Sequence, residues 1–205
     1  MIKPDLANPL NGTQGVLFII SAPSGAGKTS LTKALLAKLK PSYPIDRVVT
    51  YTSRTPRNGE INGIDYHFLH TQDFENKITQ GFFLEWSTVY GTYYGSSASI
   101  VTDLEEGKHR ILIVDRLGTH TILSYMAKLP YKVVSIWISV SSIEILQARL
   151  STRGLDDPQS LGRRLTLAAQ EMAQEKQSPL YDYEILNDLF ENSLEKLENL
   201  AKKYF

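Results

Sequence analysis

The sequence contains no cysteine among its 205 residues, so it can form neither a disulfide nor a thiolate metal site. It has no excess of either charge, since Lys plus Arg and Asp plus Glu each number 22. A chain without net charge has no bulk attraction for nucleic acid or an anionic membrane. No apolar run approaches the roughly 18 residues of a membrane span, and segment 1–15 has no apolar signal core. These absences predict a cytoplasmic protein with no nucleic-acid or membrane partner.

The most informative feature that is present is the run SAPSGAGKT at residues 21–29. It follows an apolar stretch at 16–20 and leads into a helix-like segment at 30–39. Strand, glycine-rich turn and helix in this order are the setting of a phosphate-binding loop. The first glycine of the usual pattern is replaced by Ala22, so a chance Gly-Lys-Thr in a surface turn is the alternative interpretation.

The residue types in this loop suit a bound triphosphate. Gly25 and Gly27 permit backbone angles that turn successive N–H groups towards one anion. The start of the following helix adds its positive dipole end at the same point. Lys28 supplies a full charge for the β- and γ-phosphates, and Thr29 supplies an oxygen for Mg²⁺. The run therefore predicts ATP binding with Mg²⁺.

Strand-like and helix-like segments alternate after this loop. Residues 110–115 and 132–138 read as buried strands, and a helix candidate lies between them at 119–129. This order predicts an α/β fold of the P-loop type, with a parallel sheet and helices on both faces. Leucines at helical spacing predict an amphipathic C-terminal helix. These leucines are Leu189, Leu194, Leu197 and Leu200.

Two polar segments interrupt the alternation and are the expected substrate-binding regions. Residues 50–97 predict a small β-rich insert, in which Asn58-Gly59 and Asn62-Gly63 are hairpin-turn signals. Residues 149–177 carry arginines and predict a helical lid that closes over the second substrate. The remaining segments are expected to form a flexible tail (1–14) and the P-loop core (15–49, 98–148 and 178–205).

Several further runs resemble the guanylate kinase family. They are TYTSRTPRNGE at 50–60, the pattern NGxDYxF at 62–68, FLEW at 83–86, YYGS at 93–96 and ILND at 185–188. The resemblance covers nearly everything from residue 15 to the C-terminus. The family transfers the γ-phosphoryl group of ATP to GMP, giving ADP and GDP with Mg²⁺. The resemblance therefore implies ATP and GMP as substrates, and it leaves dGMP use and the oligomeric state open.

The GMP phosphate has plausible partners in the insert. Arg54 and Arg57 lie in one Pro-containing loop, and two guanidinium groups can hold one phosphate monoester. By resemblance these arginines hold the GMP phosphate together with the hydroxyls of Tyr66 and Tyr94. The alternatives are that the arginines are solvated loop charges and that Tyr66 belongs to a strand core.

Guanine requires an acceptor for its N1–H and its exocyclic amine. Glu85 could be this acceptor, because it lies in an otherwise apolar run where an unpaired carboxylate would be costly. A surface salt bridge is the alternative for this residue. The resemblance assigns Thr50, Gly95, Ser96 and Asp115 to the same GMP site.

The predicted lid adds cations. Arg149 and Arg153 are one helical turn apart, and Arg164 comes from the next helix. By resemblance these three clamp the ATP phosphates and join Lys28 and Arg54 as the catalytic set, although lid arginines can also be ordinary surface charges. The expected ATP contacts are Ala22, Pro23, Ser24, Gly25, Ala26, Gly27, Lys28, Thr29, Ser30 and, by resemblance near adenine, Asn187.

One position departs from the family pattern. The family usually shows Asp-x-Asp where this chain reads Ile113-Val114-Asp115, so a carboxylate expected near Mg²⁺ is missing. Mg²⁺ needs few protein ligands, and we expect activity with altered metal dependence. Two other functions remain open, namely a ribose-bisphosphate-type P-loop phosphokinase and a non-catalytic scaffold that binds phosphopeptides. The intact Lys28 and Thr29 favour an enzyme over a scaffold.

Overall fold

The computed structural model describes residues 14–89, 91–153 and 158–205. Apart from Gln14, the predicted N-terminal tail lies outside these residues. The strands are β1 (Val16–Ser21), β2 (Ile45–Arg47), β3 (Tyr51–Thr52), β4 (His67–Phe68), β5 (Phe83–Val89), β6 (Thr92–Ser97), β7 (His109–Ile113), β8 (Lys132–Ser139) and β9 (Tyr183–Leu186). The α-helices are α1 (Lys28–Leu39), α2 (Thr71–Thr79), α3 (Ser99–Glu105), α4 (Arg116–Met126), α5 (Ile143–Arg153), α6 (Pro158–Gln177) and α7 (Phe190–Ala201), and a short 3₁₀ turn follows at Lys202–Tyr204.

The larger sheet has five parallel strands in the order β2-β7-β1-β8-β9. Side chains alternate between the faces of a strand, and every residue of β1 is buried. Val16, Phe18 and Ile20 pack with residues of α1, α5, α6 and α7. Leu17 and Ile19 pack on the opposite face with α3 and α4. The predicted α/β fold, with helices on both faces of a parallel sheet, is therefore confirmed.

A second, smaller sheet has the strand order β4-β3-β6-β5. The prediction of hairpins at the two Asn-Gly pairs is wrong, because β3 and β4 are parallel and their connecting loop cannot be a hairpin. Gly59 and Gly63 do adopt positive φ angles of 84° and 79°, but they form turns inside that loop. The hairpin of this sheet joins β5 to β6, which pair antiparallel next to Gly91 at φ 76°.

Two helix boundaries differ from the predictions. Helix α4 begins at Arg116 and not at residue 119, because the Asp115 side chain accepts a hydrogen bond of 2.7 Å from the Gly118 N–H and caps the helix. The C-terminal helix buries Leu194, Leu197 and Leu200 as expected. Leu189 precedes that helix and is 67% exposed, so its inclusion in the apolar face was wrong.

The C-terminal end of α6 is tied to the core. Arg116, the first residue of α4, forms an ion pair with Glu175 and donates to the Ser178 carbonyl. The other Glu175 oxygen accepts the Leu180 N–H at 2.9 Å. Both members of the ion pair are mostly buried, so this end of α6 is fixed on α4. Within the described residues, no helix is both long enough and apolar enough to span a membrane.

Gly15 tests the packing at the entry to β1. A Cβ at this position would lie 2.1 Å from the Lys108 carbonyl oxygen, and backbone cannot yield as a flexible side chain can. We expect Gly15→Ala to lower the free energy of unfolding by about 2 kcal/mol or more. Gly162→Ala is the control, because a Cβ there meets nothing within 4 Å in α6, and a gain of about 0.5–1 kcal/mol is expected. Urea unfolding that ranks the two substitutions in the opposite order would contradict this packing.

Candidate active site

A cavity of about 380 Å³ lies where the P-loop, the smaller sheet, the end of β7 and helix α6 meet. Lys28 enters it from the P-loop, and Leu167 and Glu171 enter it from α6. All but one of the predicted GMP contacts line it. These are Thr50, Arg54, Arg57, Tyr66, Glu85, Tyr94, Gly95 and Asp115. The remaining one, Ser96, is fully buried and holds Glu85 from behind.

The P-loop adopts the geometry that its glycines predict. Gly25 and Gly27 have φ angles of 90° and 95°, in the left-handed region that favours glycine. The Lys28 Nζ donates to the Ala22 carbonyl at 2.6 Å, which holds the ammonium group against the loop. Ala22 itself is buried, so the replacement of the first glycine is accommodated by packing.

Asn187 supports the loop from the end of β9. Its Nδ2 donates to the Ala26 carbonyl at 2.7 Å, and the residue is buried. A Cβ on Gly27 would lie 2.6 Å from this Nδ2, so the close approach of side chain and loop requires glycine there. The Asn187 Oδ1 is buried and has no hydrogen-bond partner among the described residues. This oxygen is therefore the polar atom of the Asn187 side chain that the described residues leave unsatisfied.

A second cavity, of about 440 Å³, lies on the other side of the loop. It is lined by the predicted ATP contacts Gly25, Gly27, Ser30 and Asn187, and by Arg149 of α5. The Arg149 Nη2 donates to the Asn187 carbonyl at 2.7 Å, whereas its buried Nη1 lacks a partner within the described chain. The two cavities thus flank one phosphate-binding loop.

Glu85 is a buried carboxylate that lines the first cavity. Its side chain lies on β5 opposite Ser96 of β6, and the Ser96 hydroxyl donates to Oε1 at 2.6 Å. Burial raises the pKa of the Glu85 carboxyl to about 7, and the negative charge of Asp115 adds to the rise, while hydrogen bonds from Ser96 oppose it. A surface salt bridge is excluded, because Glu85 is only 6% exposed.

The second carboxylate of the cavity converges on the first. A Cβ on Gly118 would lie 3.1 Å from Glu85 Oε2 and 3.3 Å from Asp115 Oδ1, so both carboxylates lie next to the first turn of α4.

Gly95, which lies opposite Trp86 in the hairpin, is constrained by packing. A Cβ there would lie 3.0 Å from the Phe83 ring and 3.1 Å from the Glu85 carbonyl. Packing beneath the sheet is thus sufficient reason for glycine at position 95.

Arg54 is held in place by Glu60, a partner that the sequence analysis did not identify. Its guanidinium forms two parallel hydrogen bonds of 2.8 and 2.9 Å with Glu60 and lies 5.5 Å from the Tyr66 ring centroid. The Arg54 hydrogen bond lowers the pKa of Glu60, and burial raises the pKa of the Tyr66 hydroxyl. Glu60 also accepts the Arg57 N–H at 2.7 Å, which leaves the exposed Arg57 side chain beside Arg54.

The predicted catalytic set is not gathered in one place. Lys28 and Arg54 line the first cavity, and Arg164 donates to the Ser24 hydroxyl of the P-loop at 2.8 and 3.0 Å. Arg149 lines the second cavity instead. The side chain of Arg153, the last residue of α5, lies outside the described part of the structure. Thr29 is exposed on the first turn of α1, and Pro23 is buried within the loop.

Sequence reasoning missed Glu171 and Leu167 of α6. The helical period could have predicted them, because residues three and seven positions after Arg164 lie on the same helical face as that arginine. Glu60 was also detectable, since it is the only carboxylate within the run 50–60 that carries both insert arginines.

A P-loop that separates two cavities, one of which is lined by the buried carboxylate of Glu85, is the arrangement of a P-loop nucleotide kinase. Comparison with known proteins identifies the family. The family described as Guanylate kinase matches residues 14–204, so the chain belongs to the guanylate kinase family.

Individual relatives agree with this assignment. A guanylate kinase of Idiomarina loihiensis is 42% identical over 188 residues, covering 91% of this chain and 86% of the relative. A guanylate kinase of Thiobacillus denitrificans is 41% identical over 189 residues, with coverages of 92% and 86%. The crystal structure of guanylate kinase from Anaplasma phagocytophilum matches with a TM-score of 0.74 at 27% identity, covering 94% of this chain and 87% of that chain.

The raised pKa of Glu85 predicts a pH-dependent stability. Because the folded-state pKa of about 7 exceeds the ordinary 4.5, the ionised carboxylate destabilises the folded protein. This cost is absent below pH 4.5 and grows as the pH rises to 7, where the difference in pKa corresponds to about 3 kcal/mol. We therefore expect Glu85→Gln to raise the free energy of unfolding by up to that amount at pH 8, with little effect at pH 4.5.

Urea unfolding at the two pH values measures this effect. Glu184→Gln is the control, because Glu184 is exposed on β9 and its replacement should change stability little at either pH. A difference between Glu85→Gln and the unsubstituted chain that is the same at both pH values would contradict the buried, protonatable carboxyl.

Proposed function

We propose that the protein transfers the γ-phosphoryl group of ATP to GMP, giving ADP and GDP. One observation carries the proposal, namely that a single cavity is lined both by the P-loop lysine, Lys28, and by the buried carboxylate of Glu85, which Ser96 holds by a hydrogen bond. In this proposal the insert 50–97 holds GMP, segment 149–177 acts as a lid, and the rest of the described chain forms the core.

The GMP end is specific because of its carboxylates. An ionised Glu85 accepts from the N1–H and the exocyclic amine of guanine, with Asp115 beside it. The Thr50 hydroxyl, which lines the cavity, can donate to the O6 atom, while the Ser96 hydroxyl holds Glu85 in place. Adenine offers an acceptor at N1 and lacks the 2-amine, so it would leave the buried Glu85 unpaired, and such a mismatch is worth roughly 10⁴-fold in discrimination. The GMP phosphate then meets Arg54, Arg57, Tyr66 and Tyr94.

The ATP end uses the loop and the second cavity. Successive N–H groups of residues 22–30 and the dipole of α1 bind the phosphates. The Asn187 Oδ1, which has no hydrogen-bond partner among the described residues, suits the exocyclic amine of adenine, and Arg149 of the same cavity has an Nη1 atom that is likewise unpaired within the described chain. These two atoms support the placement of the adenosine in that cavity.

Mg²⁺ is expected to accompany ATP, and the residues present fit it. The described residues contain no cluster of three or more His, Asp or Glu side chains that could chelate a metal alone. Mg²⁺ keeps several waters and binds through one or two protein groups plus phosphate oxygens. The hydroxyl of Thr29 can be one such group, and the bound ion would neutralise charge on the phosphates. The expected cytoplasmic location stays a prediction.

Transfer itself needs positioning more than proton abstraction. The attacking oxygen of the GMP phosphate is already ionised, so no general base is required when the new P–O bond forms and the β–γ bridging bond breaks. Lys28, Arg54 and Arg164 supply the cations around the transferred group, together with Arg153 of the lid. Arg149 acts from the adenosine side.

The test is release of ADP from ATP with different acceptors. We expect turnover with GMP and at least 10³-fold lower kcat/KM with AMP. Lys28→Ala should abolish turnover without loss of folding, since its ammonium group is a functional charge and not a packing element. Turnover with a ribose bisphosphate and not with GMP would establish the sugar kinase alternative. The absence of ADP release with every acceptor would favour a phosphopeptide-binding scaffold.

The Ile113 departure generates a separate prediction. Ile113 lines the first cavity where the family usually has a carboxylate, and we expect the chain to be active without that carboxylate. Ile113→Asp should lower the Mg²⁺ concentration required for half-maximal rate, because it adds a group that holds metal-bound water. The measurement is steady-state turnover across a Mg²⁺ titration. A chain that is inactive until Ile113→Asp is introduced would contradict the expectation.

A further inference from the structure

Helix α6 places a carboxylate, Glu171, in the first cavity, and the transfer reaction described above does not use it. Glu171 lines this cavity together with Lys28 and Asp115. These two residues are its electrostatic neighbours among the described residues. A partly buried carboxylate that is held by no hydrogen bond from the described residues is costly, so its retention at this position calls for a ligand.

The position of Glu171 is fixed on both sides along its helix. Two turns earlier on the same face, Arg164 contacts Ser24 of the P-loop through its Nε and Nη2 atoms. One turn later, Glu175 is paired with Arg116 of the core. Because Glu171 lies between these two attachments, α6 presents its carboxylate to the cavity as a rigid part of the wall.

The charges around Glu171 show what kind of ligand it suits. Burial raises the pKa of its carboxyl, Lys28 acts to lower it, and the negative charge of Asp115 raises it further. In the proposed function this space also receives the phosphates of two nucleotides. Carboxylates that face phosphates repel them, and the repulsion becomes an attraction only when a cation lies between.

We propose that Glu171 is a positioning residue for the magnesium ion that accompanies ATP, with its carboxylate accepting hydrogen bonds from metal-bound water. Strand β7 offers only Ile113 where a first carboxylate would stand, so the acid comes from the lid helix instead. The inference rests on the proposed function, because it requires ATP in the P-loop. It assigns the lid a task beyond the delivery of arginines.

The test uses the opposite effects that Glu171→Gln should have on ATP affinity in the absence and in the presence of Mg²⁺. Without metal, the Glu171 carboxylate repels the triphosphate, so Glu171→Gln should bind ATP as tightly as the unsubstituted chain or more tightly. With Mg²⁺ in excess, the same variant should bind ATP about tenfold more weakly or worse, as for other residues that orient metal-bound groups. Calorimetric titration of ATP in EDTA and in Mg²⁺, both without GMP, gives the ratio of dissociation constants and needs no turnover.

Glu184→Gln is the charge-matched control, since Glu184 is exposed on β9 and its replacement should leave the ratio unchanged. Thermal unfolding of Glu171→Gln should show no loss of stability, because the substitution removes an unpartnered charge. A ratio that is unchanged in Glu171→Gln, or equal losses with and without Mg²⁺, would overturn the role. Failure of the proposed function would be distinguishable, because the unsubstituted chain would then show no GMP-dependent release of ADP.

Discussion

The buried carboxylate of Glu85 is the interaction on which the rest of the candidate site depends. Ser96 holds it at 2.6 Å across the β5–β6 hairpin, and the first turn of α4 approaches its other oxygen. The smaller sheet is thereby placed against the core at the point where β7 ends. A ligand that pairs this carboxylate removes the cost of its burial, so binding specificity and the instability of the empty site have the same origin.

The core could be predicted from the sequence because its determinants are local. The all-apolar stretch 16–20, the glycines of the P-loop and the leucines of α1 each favour the structure that they form, and the parallel order follows from the β-α-β connection. The motifs also identified residues that share one cavity, since Arg54, Arg57 and Glu85 line it together. Their roles remain proposals.

The remaining features depend on contacts between distant segments, which no local pattern encodes. The Asn-Gly pairs predicted hairpins, yet β3 pairs parallel with β4 and antiparallel with β6, which lies far along the chain. Arg149 was grouped with the other cations, but its hydrogen bond to the Asn187 carbonyl places it at the second cavity. Leu189 matched the helical period and lies before the helix. In each case tertiary packing decided the outcome.

The central claim is that two nucleotides meet end to end at the P-loop, with adenosine in one cavity and guanosine in the other. A molecule that joins adenosine and guanosine 5′ to 5′ through a short polyphosphate chain tests this directly by calorimetry. The account predicts that it binds about 100-fold more tightly than ATP or GMP alone, because one association fills both cavities, and that the diadenosine analogue shows no such gain. Equal affinity for both linked molecules, or no gain over ATP, would contradict the account.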